Sequence, residues 1–307
     1  MKKKMFLFLL LFSTARLLYS QENLPAPEPP DIGADTIPFT LTSHNNLSVT
    51  AILNGKDTLQ LMFHTAAGSV TIIKEVAEKL AGLNLNEEDT AKSWGGEQAA
   101  KYGSGNSLQI GNLRWEGITV WENEKSGPMT DGKFGPNLFG DKAIELNFDA
   151  GIMVIHPALP EMDEGYEKLG LTLENDFVFI EGASRIGEKV LKNRYLIHSG
   201  YGGALLFDDE FVRSNGIGDQ LPITKEQALQ DSYGNVLKVK KAVLPEFSLG
   251  KTTLSHVPVG FFEGAIGQQK MSVMGGALLK RFNMVIDRKN SCIYLKANSK
   301  FGLSLTP

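Results

Sequence analysis

The chain has one cysteine, Cys292, in 307 residues. That excludes an internal disulfide and a cysteine-based metal cluster, and in the run SCIYL the thiol reads as a small buried strand residue. Charge of one sign is missing too, since 31 Lys and Arg stand against 35 Asp and Glu for a net charge of −4. With no basic excess, nucleic acid is not an expected partner. No transmembrane span is expected in the mature chain. The glycine run 200–203 is not followed by Lys-Ser or Lys-Thr, so a phosphate cradle is not expected. Ser199 does not sit in Gly-x-Ser-x-Gly, and no acid partner can be named for a serine nucleophile there. Histidine is scarce, with five in the chain.

What is present is glycine. Thirty-two glycines punctuate short apolar runs in a chain that is 42% hydrophobic and 21% charged, the composition of a turn-rich, all-β globular protein. The N-terminus reads differently. Lys2-Lys3-Lys4 precede a short apolar stretch, 5–12, which Arg16 cuts off before it could cross a bilayer. Residues 1–20 are therefore expected to be a signal peptide, cleaved near Ser20-Gln21 or after Ala15, and the mature protein to be periplasmic or secreted. Residues 21–38 contain LPAPEPPD and read as a proline-rich linker.

The remainder is built around two similar stretches, LMFHTAAGSV (61–70) and YLIHSGYGGAL (195–205). In each, an apolar strand runs into a polar pair, His64-Thr65 or His198-Ser199, and turns at once through small residues. Such a turn displays its polar pair at the end of a buried sheet. Around the first lie a hairpin signal (47–53, Asn54-Gly55, 58–63), a helical pattern over 73–83, and a glycine-rich loop or hairpin over 93–105 with Trp94 and Tyr102. A strand pair over 107–122 turning at Gly111-Asn112 follows, then a closing hairpin at Asp149-Ala150-Gly151. The second half repeats the order, with a loop at 225–236 carrying Tyr233. His198 follows His64 by 134 positions, Gly250 follows Gly111 by 139, Gly275 follows Gly135 by 140 and Asp287 follows Asp149 by 138. Landmarks in one order at a nearly constant offset indicate an internal duplication. Two lobes are expected, 39–158 and 159–307.

This twice-given order resembles the two-lobed aspartic proteases, in particular exported bacterial relatives of the retropepsin and pepsin superfamily. LMFHTAAGSVTI sits where that family has an Asp-Thr-Gly segment, IHSGYGGALL where the other lobe has Asp-Ser-Gly, and KFGPNLF and VMGGALL resemble the apolar-apolar-Gly segment behind each loop. The resemblance implies an all-β acid-protease fold with short helices and a cleft between the lobes. Under the two flaps an extended peptide or protein segment would bind as an added strand. It implies a monomer, because one chain supplies both halves, and no cofactor. The implied binding residues are Thr65, Ser199 and Gly200, with Trp94, Tyr102 and Tyr233 from the flaps.

The departures are as informative. Both catalytic positions of the family hold histidine here, His64 and His198; Ala66 replaces glycine, and Gly68 and Gly202 replace the serine after the motif. A carboxylate dyad shares one proton and holds the attacking water, and neutral imidazoles, each one donor and one acceptor, cannot reproduce that. Four readings stay open. The cleft binds peptide without cutting it; or it hydrolyses through His64 or His198 as general base. Alternatively the two histidines bind a divalent metal with a third ligand such as Glu97, or the protein is a structural β protein of the cell envelope. Histidines in contact with ligand would change affinity between about pH 5.5 and 7.

Overall fold

The computed structural model describes residues 33–93, 96–230, 236–262 and 269–305. The expected signal peptide and most of the expected linker lie outside the described residues, as do Trp94 and Tyr233. Among the described residues, twenty strands make up most of the fold, ten in each half. The first half contains β1 (Asp35–Leu41), β2 (Leu47–Leu53), β3 (Asp57–Phe63), β4 (Val70–Ile73), β5 (Glu87–Ser93), β6 (Gly96–Ile110), β7 (Leu113–Asn123), β8 (Gly132–Phe134), β9 (Ala143–Asn147) and β10 (Ile152–His156). The second contains β11 (Glu167–Glu174), β12 (Phe177–Ile186), β13 (Lys189–His198), β14 (Leu205–Leu206), β15 (Lys225–Gln230), β16 (Val236–Leu249), β17 (Thr252–Phe261), β18 (Ser272–Gly275), β19 (Phe282–Asp287) and β20 (Cys292–Ala297).

Each half closes a barrel by the same route. In the first, β2 pairs with β3, β3 with β8, β8 with β4, β4 with β7, β7 with β6, and β6 returns to β2. In the second, β12, β13, β18, β14, β17 and β16 follow in the same order, and β16 returns to β12. Parallel and antiparallel pairings fall at matching places. A separate antiparallel sheet then joins the halves in the order β1-β10-β9-β19-β20-β11. Its centre is the pairing of Glu145 with Val285, so the approximate twofold relation between the halves passes between β9 and β19. The all-β, two-lobed, barrel-containing architecture read from the sequence is the observed one.

Local differences have local reasons. The linker expected through residue 38 gives way to β1 at Asp35; Pro38 is tolerated there because β1 is the edge of the joining sheet, where a missing N–H costs no ladder bond. The helix expected over 73–83 has a single α-turn, Lys74–Ala77. Beyond it Lys79 N bonds Val76 O and Leu80 N bonds Ala77 O, so the segment tightens into shorter-period turns that still pack Val76, Leu80 and Leu83 on the core. The described residues of the glycine-rich 93–105 stretch lie in β5 and β6, which pair in register from Glu87–Tyr102 to Ser93–Gly96. Trp115 is a packing residue, 1% exposed, with its indole N–H donating to Leu138 O at 2.9 Å. Cys292 is buried and free. Among the described residues no helix is long and apolar enough to cross a membrane.

The C-terminal segment is held by one buried cation. Arg281, 2% exposed, donates from its guanidinium to the carbonyls of Lys300, Phe301, Leu303 and Ser304 at 2.6–2.9 Å. Changing Arg281 to Met leaves those carbonyls without their donors, and the expected cost is about 2–4 kcal/mol. Urea unfolding with limited proteolysis checks this: the variant loses stability and is clipped near residue 298 ahead of the rest of the chain.

Candidate functional site

The two halves meet at the ends of β3 and β13. Each strand is flanked by a parallel partner that turns away through glycine, so the loop after it is exposed to the other lobe. His64 N donates to Phe134 O at 2.9 Å, and His198 lies in register with Gly275. The glycines behind the loops are required by contact. A Cβ on Gly135 would sit 1.8 Å from Ala67 O, and one on Gly275 2.4 Å from the carbonyls of Tyr201 and Gly203.

Between the loops lies a reciprocal lock. Thr65 Oγ1 donates to Ile197 O at 2.6 Å and accepts from Ser199 N at 3.0 Å; Ser199 Oγ donates to Phe63 O at 2.6 Å and accepts from Thr65 N at 3.0 Å. Each hydroxyl therefore spends its proton and a lone pair on the opposite lobe's backbone. Both side chains are buried, at 3% and 1% exposure. They hold the loops together rather than face a ligand. The turn between β1 and β2 braces the same place: Asn46 Nδ2 donates to Ser199 O at 2.9 Å and Asn45 Nδ2 to Gly202 O at 2.8 Å.

The lock brings His64 and His198 together, with ring centroids 4.5 Å apart and planes inclined at 58°. The His64 ring lies against the Cα of Gly200. A Cβ there would be 2.2 Å from His64 Cδ2 and 2.4 Å from Nε2, so only glycine fits. His64 Nδ1 accepts from Ala66 N at 3.1 Å. That places the proton of the neutral ring on Nε2, which can then only donate. His198 Nδ1 is buried and has no hydrogen-bond partner.

Electrostatics keep both rings uncharged. Burial, with the nearby Lys133 ammonium acting in the same sense, lowers His198 to about 4. Burial, then the charge His198 would carry, then Lys133 hold His64 well below the usual histidine range. The titration expected between pH 5.5 and 7 is therefore displaced to acid. Lys133 lies on β8, two residues before Gly135. With the Asn123 amide oriented to suit its neighbours, its oxygen accepts from Lys133 Nζ at 3.2 Å and from Thr71 Oγ1 at 2.9 Å.

Other expected residues are placed elsewhere. Tyr102 stacks on Trp121 of β7 at 4.5 Å and donates to Glu87 of β5 at 2.9 Å, so these contacts lie on neighbouring strands of the first lobe. His156 pairs with Glu145 at 2.9 Å. Among the described residues no three His, Cys, Asp or Glu side chains gather to hold a metal, and Glu97 does not complete a site with the histidines. Lys133 and Tyr201 were not singled out from the sequence. Lys133 carried a signal, a lone charge in the otherwise apolar or small run Gly132–Phe134; Tyr201 carried one in its place directly after His198-Ser199-Gly200.

The geometry can be set beside known proteins. Residues 49–138 match the aspartyl protease family. No curated protein sequence matches the chain. Among solved structures, the aspartic proteinase from Irpex lacteus superposes with a TM-score of 0.59 at 13% identity, covering 88% of this chain and 99% of that one. That protein is described as a proteinase; at this identity the likeness is one of fold. This chain has a two-lobed, pepsin-like aspartic-protease fold, with His64 and His198 facing each other between its lobes.

Proposed function

We propose that this protein is an exported, catalytically silent relative of the aspartic proteases that binds an extended peptide or protein segment, as a monomer, in the cleft between its lobes. The observation that carries this reading is the hydrogen-bonding state of His64. A proteolytic dyad needs an acceptor to take a proton from water. The only lone pair of a neutral His64 ring is already engaged by Ala66 N, so the ring offers the cleft a donor. His64 and His198 stand, in this reading, at the positions of the family's aspartates. A donor there suits a ligand's backbone carbonyl, and the hairpin β5–β6 offers edge groups for strand addition.

A second reading, hydrolysis through His198, draws on one specific feature. Its Nδ1 has no partner, so its ring has no assigned tautomer and its other nitrogen is available as a base. The test that separates the two is incubation of the mature chain with a diverse peptide pool from about pH 3 to pH 8, with and without zinc. We expect retention of peptides without new termini. Cleavage that disappears in both His64→Ala and His198→Ala would defeat the binding-only reading, and interactions unchanged by either substitution would point to a structural envelope protein.

A stability prediction accompanies the neutral rings. The folded chain resists protonating His198 down to about 4, whereas the ordinary value is 6.5. The unfolded chain thus binds the proton first as pH falls, and the stability from this group, complete above 6.5, drains away between 6.5 and 4. Its full extent is at most about 3 kcal/mol. Urea unfolding at both ends of that window should show a smaller acid loss in His64→Asn/His198→Asn than in the parent. Equal losses would mean that the buried rings titrate as ordinary histidines.

A further inference from the structure

The two lobes use matching strand positions for opposite chemistry. In the first, Glu87 lies across from Tyr102 and Tyr102 across from Trp121. The Tyr102 ring is stacked on Trp121, and its hydroxyl is bonded to Glu87. In the second, the corresponding cross-strand partners are Lys225, Lys241 and Gly260. The aromatic shelf has become a gap and the carboxylate has become a second lysine.

Lys241 turns into that gap. Its Nζ donates to Tyr201 Oη at 3.0 Å, and Tyr201 belongs to the histidine loop, its N–H donating to His198 O at 3.0 Å. A Cβ on Gly260 would lie 3.0 Å from Lys241 Nζ, 2.8 Å from Val239 Cγ1 and 3.0 Å from Leu206 Cδ1, so the ammonium occupies space that only glycine leaves. The surroundings are apolar: Leu196, Leu206, Val239 and Phe262 form a small cluster, against which Tyr201 and Ala66 of the first-lobe loop pack. Among the described residues no carboxylate is in ion-pair contact with Lys241. The charge that acts on it is that of Lys225, which, after burial, helps to lower it to about 8. An ammonium in an apolar recess without a counter-ion is costly to keep unless something supplies the missing charge. Lys241 and Tyr201 are each only partly buried.

We propose that Lys241 and Tyr201 form a carboxylate-binding subsite on the second-lobe side of the cleft, beside the histidine pair. The carboxylate accepts from the ammonium and from the tyrosine hydroxyl, and the bound segment supplies it from an acidic side chain or from its own C-terminus. The peptide as carrier rests on the function proposed above; the subsite does not.

Two measurements on the full chain keep these apart. In the first, brief acetylation with acetic anhydride is read by mass spectrometry as the rate at Lys241 relative to exposed Lys251. N-acetylglutamate α-amide, with a side-chain carboxylate, and N-acetylleucine, with a terminal one, are compared with their uncharged amides. A carboxylate should slow Lys241 about threefold or more at saturating concentration, and which of the two acids protects identifies the source. The protection should vanish in Gly260→Ala, whose methyl crowds Lys241 Nζ together with Val239 Cγ1 and Leu206 Cδ1, and should weaken in Tyr201→Phe, which removes the second donor. In the second, dye-labelled peptide mixtures with Glu or Gln fixed, and with free or amidated C-termini, are titrated by anisotropy. The carboxylate-bearing mixtures should bind about tenfold tighter to the parent and no tighter to Lys241→Met. Equal acetylation with acids and amides, protection that persists in Gly260→Ala, or peptide binding indifferent to charge overturns the subsite. Protection of Lys241 without any peptide binding upholds the subsite and defeats the peptide reading alone.

Discussion

The Thr65–Ser199 lock is the constraint on which the rest of the site depends. Two hydroxyls, each bonded twice to the other lobe's backbone, fix both loops at once. Neither loop could be set by its own barrel alone, because each hydroxyl finds its partners 132–136 residues away. The six-strand sheet that joins the halves brings the barrels into register at Glu145–Val285, and the lock transmits that register to the histidines. The centroid separation of 4.5 Å is thus a property of the inter-lobe contact. The small residues have their own contacts: the carbonyls of the adjacent loop leave no room for a Cβ at Gly135 or Gly275, and the His64 ring leaves none at Gly200.

The barrels share a strand order, yet the faces beside the histidines have separated in character. At matching pairing positions the first lobe has Met62, Thr71 and Lys133, and the second has Leu196, Leu206 and Val273. The first face is tied by polar bonds through Asn123; the second is an apolar cluster edged by Lys241. A cleft with unlike walls cannot treat a bound chain and its reverse as equal. The duplication therefore supplied a symmetric scaffold whose two walls differ in character.

Much of this was legible in the sequence, for reasons that can be named. Strand ends and turns are local: Asn54-Gly55, Gly111-Asn112 and Asp149-Ala150-Gly151 declare hairpins by the residues they need. The repeat is visible because the offsets between the halves are nearly constant, so His64 and His198 pair by position alone. Other features were not local. The helix pattern over 73–83 has suitable spacing, but its short apolar stripe is satisfied by one turn and a tight continuation. Lys241 reads as one more cation in KVKK; only the strand register shows that it lies across from Gly260 and points away from Ala242, which faces the barrel interior. The protonation of the histidines was also hidden. An imidazole titrates near neutrality until burial and a neighbouring ammonium are known.

These pieces bear on one another through charge. Two carboxylates held this close would keep at least one negative charge on the cleft floor and present acceptors to whatever approached. Two neutral imidazoles keep none, and His64, with Nδ1 taken by Ala66, presents a donor. The Lys133 ammonium adds to the change, because its charge lowers both rings. A carboxyl group near a carboxylate dyad would meet repulsion across a low-dielectric gap; near this pair it meets ring N–H groups and two ammonium groups on flanking strands. The neutral ring pair that leaves His64 without a free acceptor also leaves the floor without the negative charge that would repel an anion. On the function proposed above, silence toward peptide bonds and affinity for acidic ligands both follow from imidazoles at the two ends of one lock.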